Sequence, residues 1–181
     1  MTKIKATVSF EVTDDISGPL RQATEEAFMQ VTGELTARFD AAVSGNHWPW
    51  PDSTPRFGGA RDLESAADNW NTWLTGTGNG KRPKAVANSP RSIVDSGQLK
   101  QSRDFRLNRA ALTAEWNWSV DYAAAVHEGA YINPFGNTRK IVQIPGRPWT
   151  QAVLEGGTSA TGIPVYPVGE NLKKFITQRT G

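Results

Sequence analysis

Hydrophobic and polar residues alternate at the start of the chain. Ile4, Ala6, Val8, Phe10 and Val12 hold one parity, and Lys3, Lys5, Thr7, Ser9 and Glu11 hold the other. A period of two over residues 4–12 predicts a half-buried strand. Asp14-Asp15 closes it, and Ser17 and Pro19 suit the cap and first turn of a helix. Leu20, Ala23, Ala27, Phe28, Val31, Leu35 and Phe39 then recur in steps of three and four. That spacing predicts an amphipathic helix over residues 19–43. Gly33 interrupts it at a cost of roughly 1 kcal/mol relative to alanine, which points to a bend or a close contact. Such a helix either covers a sheet or packs between subunits.

The periodicity then fails. Residues 44–90 contain His47-Trp48-Pro49-Trp50-Pro51, Gly58-Gly59 and Gly76-Thr77-Gly78-Asn79-Gly80. Two prolines in five residues exclude a regular helix interior. Ala66, Ala67, Trp70 and Trp73 fit one short helix over 63–74 with Asp62 as its cap. The remainder reads as an extended Trp-, Pro- and Gly-rich loop or arm, because so long an irregular stretch is unusual inside a compact domain. Regular patterns return at 99–107 and 111–120, two strands around an Asn108-Arg109-Ala110 turn. Leu112, Ala114, Trp116 and Trp118 share one face of the second. A short helix over 122–128, capped by Asp121 and stopped by Gly129, follows. Beyond a polar loop at 133–140 come a strand near 141–144, a helix at 149–154, a strand at 165–168 and a last helix at 170–178. The pattern is α+β: an antiparallel sheet packed by one long N-terminal helix plus short helices.

The length, 181 residues, suits a single α+β domain spanning 1–181, with 44–90 as an extended loop or arm insertion. Hydrophobic content of 38% with 17 glycines and 11 prolines fits long loops, or a fold completed by neighbours. Twenty basic residues against 18 acidic leave a net charge of +2. The pI near 9.0 therefore reflects a small excess, not the basic face of a tight nucleic-acid binder. Lys81-Arg82-Pro83-Lys84, residues 103–109 and Lys173-Lys174 are the modest basic clusters. They read as solvated loops and helix ends, or as a rim that meets DNA or an acidic partner. The chain has no cysteine, which removes disulfides, thiolate catalysis and cysteine-based metal sites. No apolar run has the roughly 18 residues of a membrane span, and no export leader is visible.

The seven tryptophans divide by context. Trp116, Trp118 and Trp149 sit in regular patterns and read as core. Trp48, Trp50, Trp70 and Trp73 sit in the arm and are candidates for an oligomer or partner interface, where tryptophan is enriched. The two histidines, His47 and His127, make a poor catalytic set. His127-Glu128 opens a zinc-protease-like pattern, but the second histidine it requires is Tyr131. Gly76 to Arg82 lacks the spacing of a phosphate-binding loop. Ser96 lacks an evident base, and Asp95-Ser96-Gly97 reads as a turn in which glycine supplies a positive φ. The expectation is no enzyme, no cofactor and no metal; a hydrolase built on His127 and Glu128 is the enzyme reading it displaces.

Three short motifs remain, in fixed order. Asp95-Ser96-Gly97 runs on through Leu99 to Ser102. Tyr122-Ala123-Ala124-Ala125-Val126-His127-Glu128-Gly129 follows, then Gly146-Arg147-Pro148-Trp149 on to Leu154. Together they resemble the neck, tail-completion and head–tail joining proteins of tailed bacteriophages. The resemblance covers roughly residues 90–156. The chain departs from the family at His127, which precedes Glu128, and at Gly146 and Trp149, where the family tends to carry alanine and phenylalanine. The resemblance implies a structural virion protein at the head–tail junction, assembled in the host cytoplasm. It implies a homo-oligomeric ring, six-fold or twelve-fold, between portal or adaptor proteins and the tail tube. Genomic double-stranded DNA would pass through it with non-specific contacts, and Lys81, Arg82, Lys84, Arg103, Arg106 and Arg109 are the channel candidates. It also implies scaffold roles for Asp95, Ser96, Gly97, Leu99, Tyr122, Val126, Glu128, Gly129, Arg147, Pro148 and Trp149. A tail-terminator ring and a morphogenesis factor absent from the particle are the alternatives.

Overall fold

In the computed structural model, residues 3–13, 16–44, 47–49, 97–132 and 142–181 are described. Strand β1, Ile4–Ser9, pairs antiparallel with β3, Thr113–Trp118, and β3 pairs antiparallel with β2, Arg103–Asn108. The order is β1-β3-β2. Register sets Ala6, Trp116 and Phe105 in one row and Val8, Ala114 and Leu107 in the next. These rows form the apolar face. Lys5, Thr7, Glu115, Asn117, Asp104 and Arg106 fill rows of the opposite face, where Lys5 and Glu115 pair at 2.5 Å.

Helix α1, Gly18–Ser44, packs on the apolar face. Ala27, Phe28, Val31, Leu35 and Phe39 are fully buried along it, the stripe that the three- and four-residue spacing predicts. Phe39 meets Trp116 at 5.2 Å and Trp118 at 5.5 Å between ring centroids. The Trp116 indole N–H donates to Thr36 Oγ1 at 2.9 Å, so a fully buried donor is satisfied from the helix. Gly33 is exposed and a Cβ placed there would touch nothing within 4 Å. Of the two readings of this glycine, a bend or a close contact, the structure shows no close contact.

The boundary residues show where pattern yields to context. β1 ends at Ser9 rather than Val12, because β3 opposite it begins only at Thr113. The preceding Leu112 is buried at a φ of 46°, unusual for a side chain of that size. The first strand after the Asp-Ser-Gly turn does not start at Leu99. Gly97, at a φ of 72°, leads into a single helical turn, α2, Gln98–Gln101, which buries Leu99. β2 begins after it.

Helix α3, Ala123–Glu128, starts behind Tyr122, with no side-chain cap bond in place of the one expected from Asp121. Strands β4, Gly129–Ile132, and β5, Val142–Pro145, form a separate antiparallel pair. β4 was not predicted by the sequence pattern. Helix α4, Trp149–Glu155, and the terminal α5, Val168–Thr180, are the remaining elements among the described residues. The strand expected at 165–168 does not form: residues 162–167 are irregular, Pro167 is the N-cap of α5 and Val168 is already helical. Pro164 and Pro167 carry no N–H to give a ladder. α5 is fastened to α1 by Arg179, which donates to Gln30 at 2.8 Å and pairs with Glu26 at 3.6 Å. Tyr166 donates to Glu34 at 2.8 Å beneath the Arg38 guanidinium, 4.7 Å from the ring centre. Burial, then the Glu34 contact, pushes the Tyr166 pKa well above its ordinary value. Among the described residues no helix is long and apolar enough to cross a membrane.

Candidate functional site

The second and third motifs meet at one junction. The backbone N–H of Arg147 donates to the carbonyls of Val126, at 3.0 Å, and His127, at 2.9 Å. These are carbonyls of the last turn of α3, which have no partner within the helix and need one from outside. The approach is close because residue 146 is glycine. A Cβ there would lie 2.7 Å from the Glu128 carbonyl oxygen, inside van der Waals contact. The chain that leaves β5 is thus pressed against the end of α3 before it turns into α4.

Side chains close the same junction. Trp149 is fully buried and packs edge-on against Trp118, centroids 5.6 Å apart. On its other side lies His127, at 4.6 Å. His127 Nε2 is 2.7 Å from Thr150 Oγ1, one residue further along α4. Its Nδ1 is buried with no hydrogen-bond partner among the described residues. Burial lowers the His127 pKa below 6.5, and neighbouring Glu128 opposes that shift. A neutral imidazole is the form this setting favours. The pair His127-Glu128 is therefore split: the histidine faces the core while Glu128 is exposed. General acid–base work needs both groups within reach of one substrate, and this arrangement gives the histidine a packing role.

The other expected site residues fall as follows. Gly97 of the first motif has a positive φ and leads into α2, where Leu99 is buried. Gly129 stops α3 and opens β4. Arg147 is buried, and Val126, Pro148 and Leu154 are half-buried. Tyr122 departs from its expected core role: it is 40% exposed, because it precedes α3 on the solvent side while Ala123 takes the buried position. Trp48 departs from its expected interface role. It is 4% exposed and its indole N–H donates to the Ala42 carbonyl at 2.9 Å, near the end of α1. Trp50, Trp70, Trp73, Lys81, Arg82, Lys84, Asp95 and Ser96 lie outside the described residues, as do the predicted helix at 63–74 and loop at 133–140.

The three described channel candidates each face a carboxylate. Arg103 pairs with Asp40 and reaches the Thr36 carbonyl at 3.4 Å, which ties β2 to α1. Arg106 pairs with Asp104 at 3.0 Å, and Arg109 approaches Glu25 at 4.0 Å. These three candidates thus each have an acidic neighbour within their own chain. A cavity of about 430 Å³ beside α4 is lined by Trp48, Pro148, Gln151, Glu155 and Thr161 among others. Another of about 310 Å³ lies between Phe10, Val12, Arg21, Glu25 and Leu112. His127 lines neither, and His47 Nδ1 is 3.1 Å from the Thr161 carbonyl oxygen. Among the described residues no group of three or more histidines and carboxylates is placed to hold a metal ion.

No protein-family model, curated protein or solved structure matches this chain.

Proposed function

We propose that this chain is a structural component of the head–tail connection of a tailed bacteriophage, a neck or tail-completion protein that assembles as a ring around the DNA channel. One observation carries the reading. Two of the three motifs behind the resemblance interlock, through the Arg147 amide on the Val126 and His127 carbonyls and through Trp149 against His127. Residues that only hold backbone and fill core are what a scaffold motif requires. In this role the chain is no enzyme and needs no cofactor. Its partners are portal-side and tail-side proteins, and its six-fold ring closes by a repeated head-to-tail contact. The near-balanced charge and the carboxylate beside each described arginine agree with a lumen that lets DNA slide, since tight binding needs many phosphate contacts.

The test is made on particles. Mass spectrometry of purified virions should find the chain, and a reconstruction should place it on the axis between portal and tail tube. Its absence from purified particles, or an off-axis position, would sink the proposal.

A further inference from the structure

We propose that the free protein forms a two-fold homodimer by antiparallel pairing of β2 with β2 of a second copy, centred on Phe105. Among the described residues β2 has a strand partner only on its β3 side. Its side chains lie open: Arg106 is 74% and Asp104 53% exposed, and Phe105, a large aromatic, is 38% exposed. An open edge of this kind is a template for another strand.

The sequence of β2 decides which strand fits. With Phe105 opposite Phe105 of the second copy, Asp104 faces the copy's Arg106, and Arg106 faces its Asp104. The existing register extends this into a row: Thr7, Glu115 and Arg106 of one copy, then Asp104, Asn117 and Lys5 of the other. Every charge in that row meets an opposite charge or a neutral residue. The apolar row reads Ala6, Trp116, Phe105 and then the same residues in reverse. Phe105 already lies 5.2 Å from Trp116, so four aromatic rings would line the seam. Cross-strand pairs of both kinds stabilise antiparallel sheets.

Neighbouring registers fail. A shift by one residue sets side chains of opposite faces against each other and breaks the pleat. A shift by two centres the seam on Asp104 against Asp104 or Arg106 against Arg106, and like charges directly opposite are unfavourable. The charges that would otherwise guard this edge thus admit one register of one partner, a second copy of the same strand. The interface is isologous, whereas neighbours in a simple cyclic ring are related head to tail. The dimer therefore belongs to the free chain, or to two rings set back to back, and stands apart from the proposal about the particle.

Sedimentation equilibrium of the full chain, from micromolar to several hundred micromolar, tests it. A concentration-dependent monomer–dimer equilibrium is expected. Arg106→Asp should weaken it by at least about tenfold, because it places carboxylates opposite each other twice. The double variant Asp104→Arg/Arg106→Asp reverses both charges and should restore the affinity to within about threefold of wild type. Both sites are exposed, and circular dichroism checks that each variant is folded. A protein monomeric throughout, a dimer indifferent to Arg106→Asp, or a double variant no better than the single one would each overturn the proposal.

Discussion

The imidazole of His127 stands edge-on to the indole of Trp149, with ring centroids 4.6 Å apart and planes at 88°. The contact joins two segments 22 residues apart in sequence, and it holds the histidine where a charge is costly. Folding therefore favours the neutral ring, and the folded-state pKa lies below 6.5. The contribution is fully present above the unfolded pKa. It is lost as pH falls from about 6.5 through the lowered folded value, where the unfolded chain binds a proton that the folded chain resists. Urea unfolding at about pH 7.5 and about pH 5 should show lower stability at the acid end. His127→Gln should flatten the histidine part of that dependence whatever its own stability. An unchanged slope would show that the ring is protonated in place.

Trp149 is fully buried between Trp118 and His127. Trp149→Ala should cost about 3–5 kcal/mol, the usual range for removing a large aromatic from a core. Tyr131, 74% exposed on β4, is the control: Tyr131→Ala should stay within about 0.5 kcal/mol of wild type. Denaturant midpoints of the two variants decide the matter, and equal losses would contradict the packing described.

Two glycines should respond to alanine with opposite sign. At Gly146 the added methyl would sit 2.7 Å from the Glu128 carbonyl oxygen, a backbone atom that cannot swing away. Gly146→Ala should separate β5 from α3 and lower the thermal midpoint. At Gly33 the methyl meets nothing within 4 Å in an exposed helix interior. Gly33→Ala should stabilise by about 0.5–1 kcal/mol by removing backbone freedom from the unfolded chain.

Free protein should bind duplex DNA weakly and without sequence preference at physiological salt. Arg103, Arg106 and Arg109 are each set against a carboxylate, and a net charge of +2 supports few phosphate contacts. Fluorescence anisotropy with labelled duplexes measures this. Nanomolar, sequence-dependent affinity would instead indicate a DNA-binding regulator.

The parts of the fold legible in the sequence are those that local periodicity controls. The spacing of Leu20 to Phe39 gives the long helix nearly to its ends, 19–43 against Gly18–Ser44. The alternation of Leu112 to Trp118 gives the buried face of β3. Errors arise where another segment decides. Val165 and Val168 are β-branched residues that favour a strand, but Pro164 and Pro167 deny it a partner and Pro167 leads into α5. β4 is short, and its sequence, Gly-Ala-Tyr-Ile, has no alternation to read. Trp48 follows a broken pattern, yet the end of α1 leaves the Ala42 carbonyl open and the indole takes it. The pairing of Arg103 with Asp40 was not legible, because the two lie 63 positions apart in sequence. The scaffold motifs were visible as motifs; that Arg147 grips the end of α3 through its backbone amide was not, because an amide carries no residue identity.

The aromatic chain through the core has an optical consequence. Phe39, Trp118, Trp149 and His127 succeed one another edge to face, with each centroid separation under 6 Å. Rings held at such fixed mutual angles give near-ultraviolet circular dichroism that vanishes when specific packing loosens, even while helices persist. Trp118 and Trp149 thus form a native chiroptical gauge at the point where sheet, α3 and α4 converge. Loss of their signal ahead of the far-ultraviolet signal would mark a subunit whose core has slackened before its backbone unfolds, with no label attached.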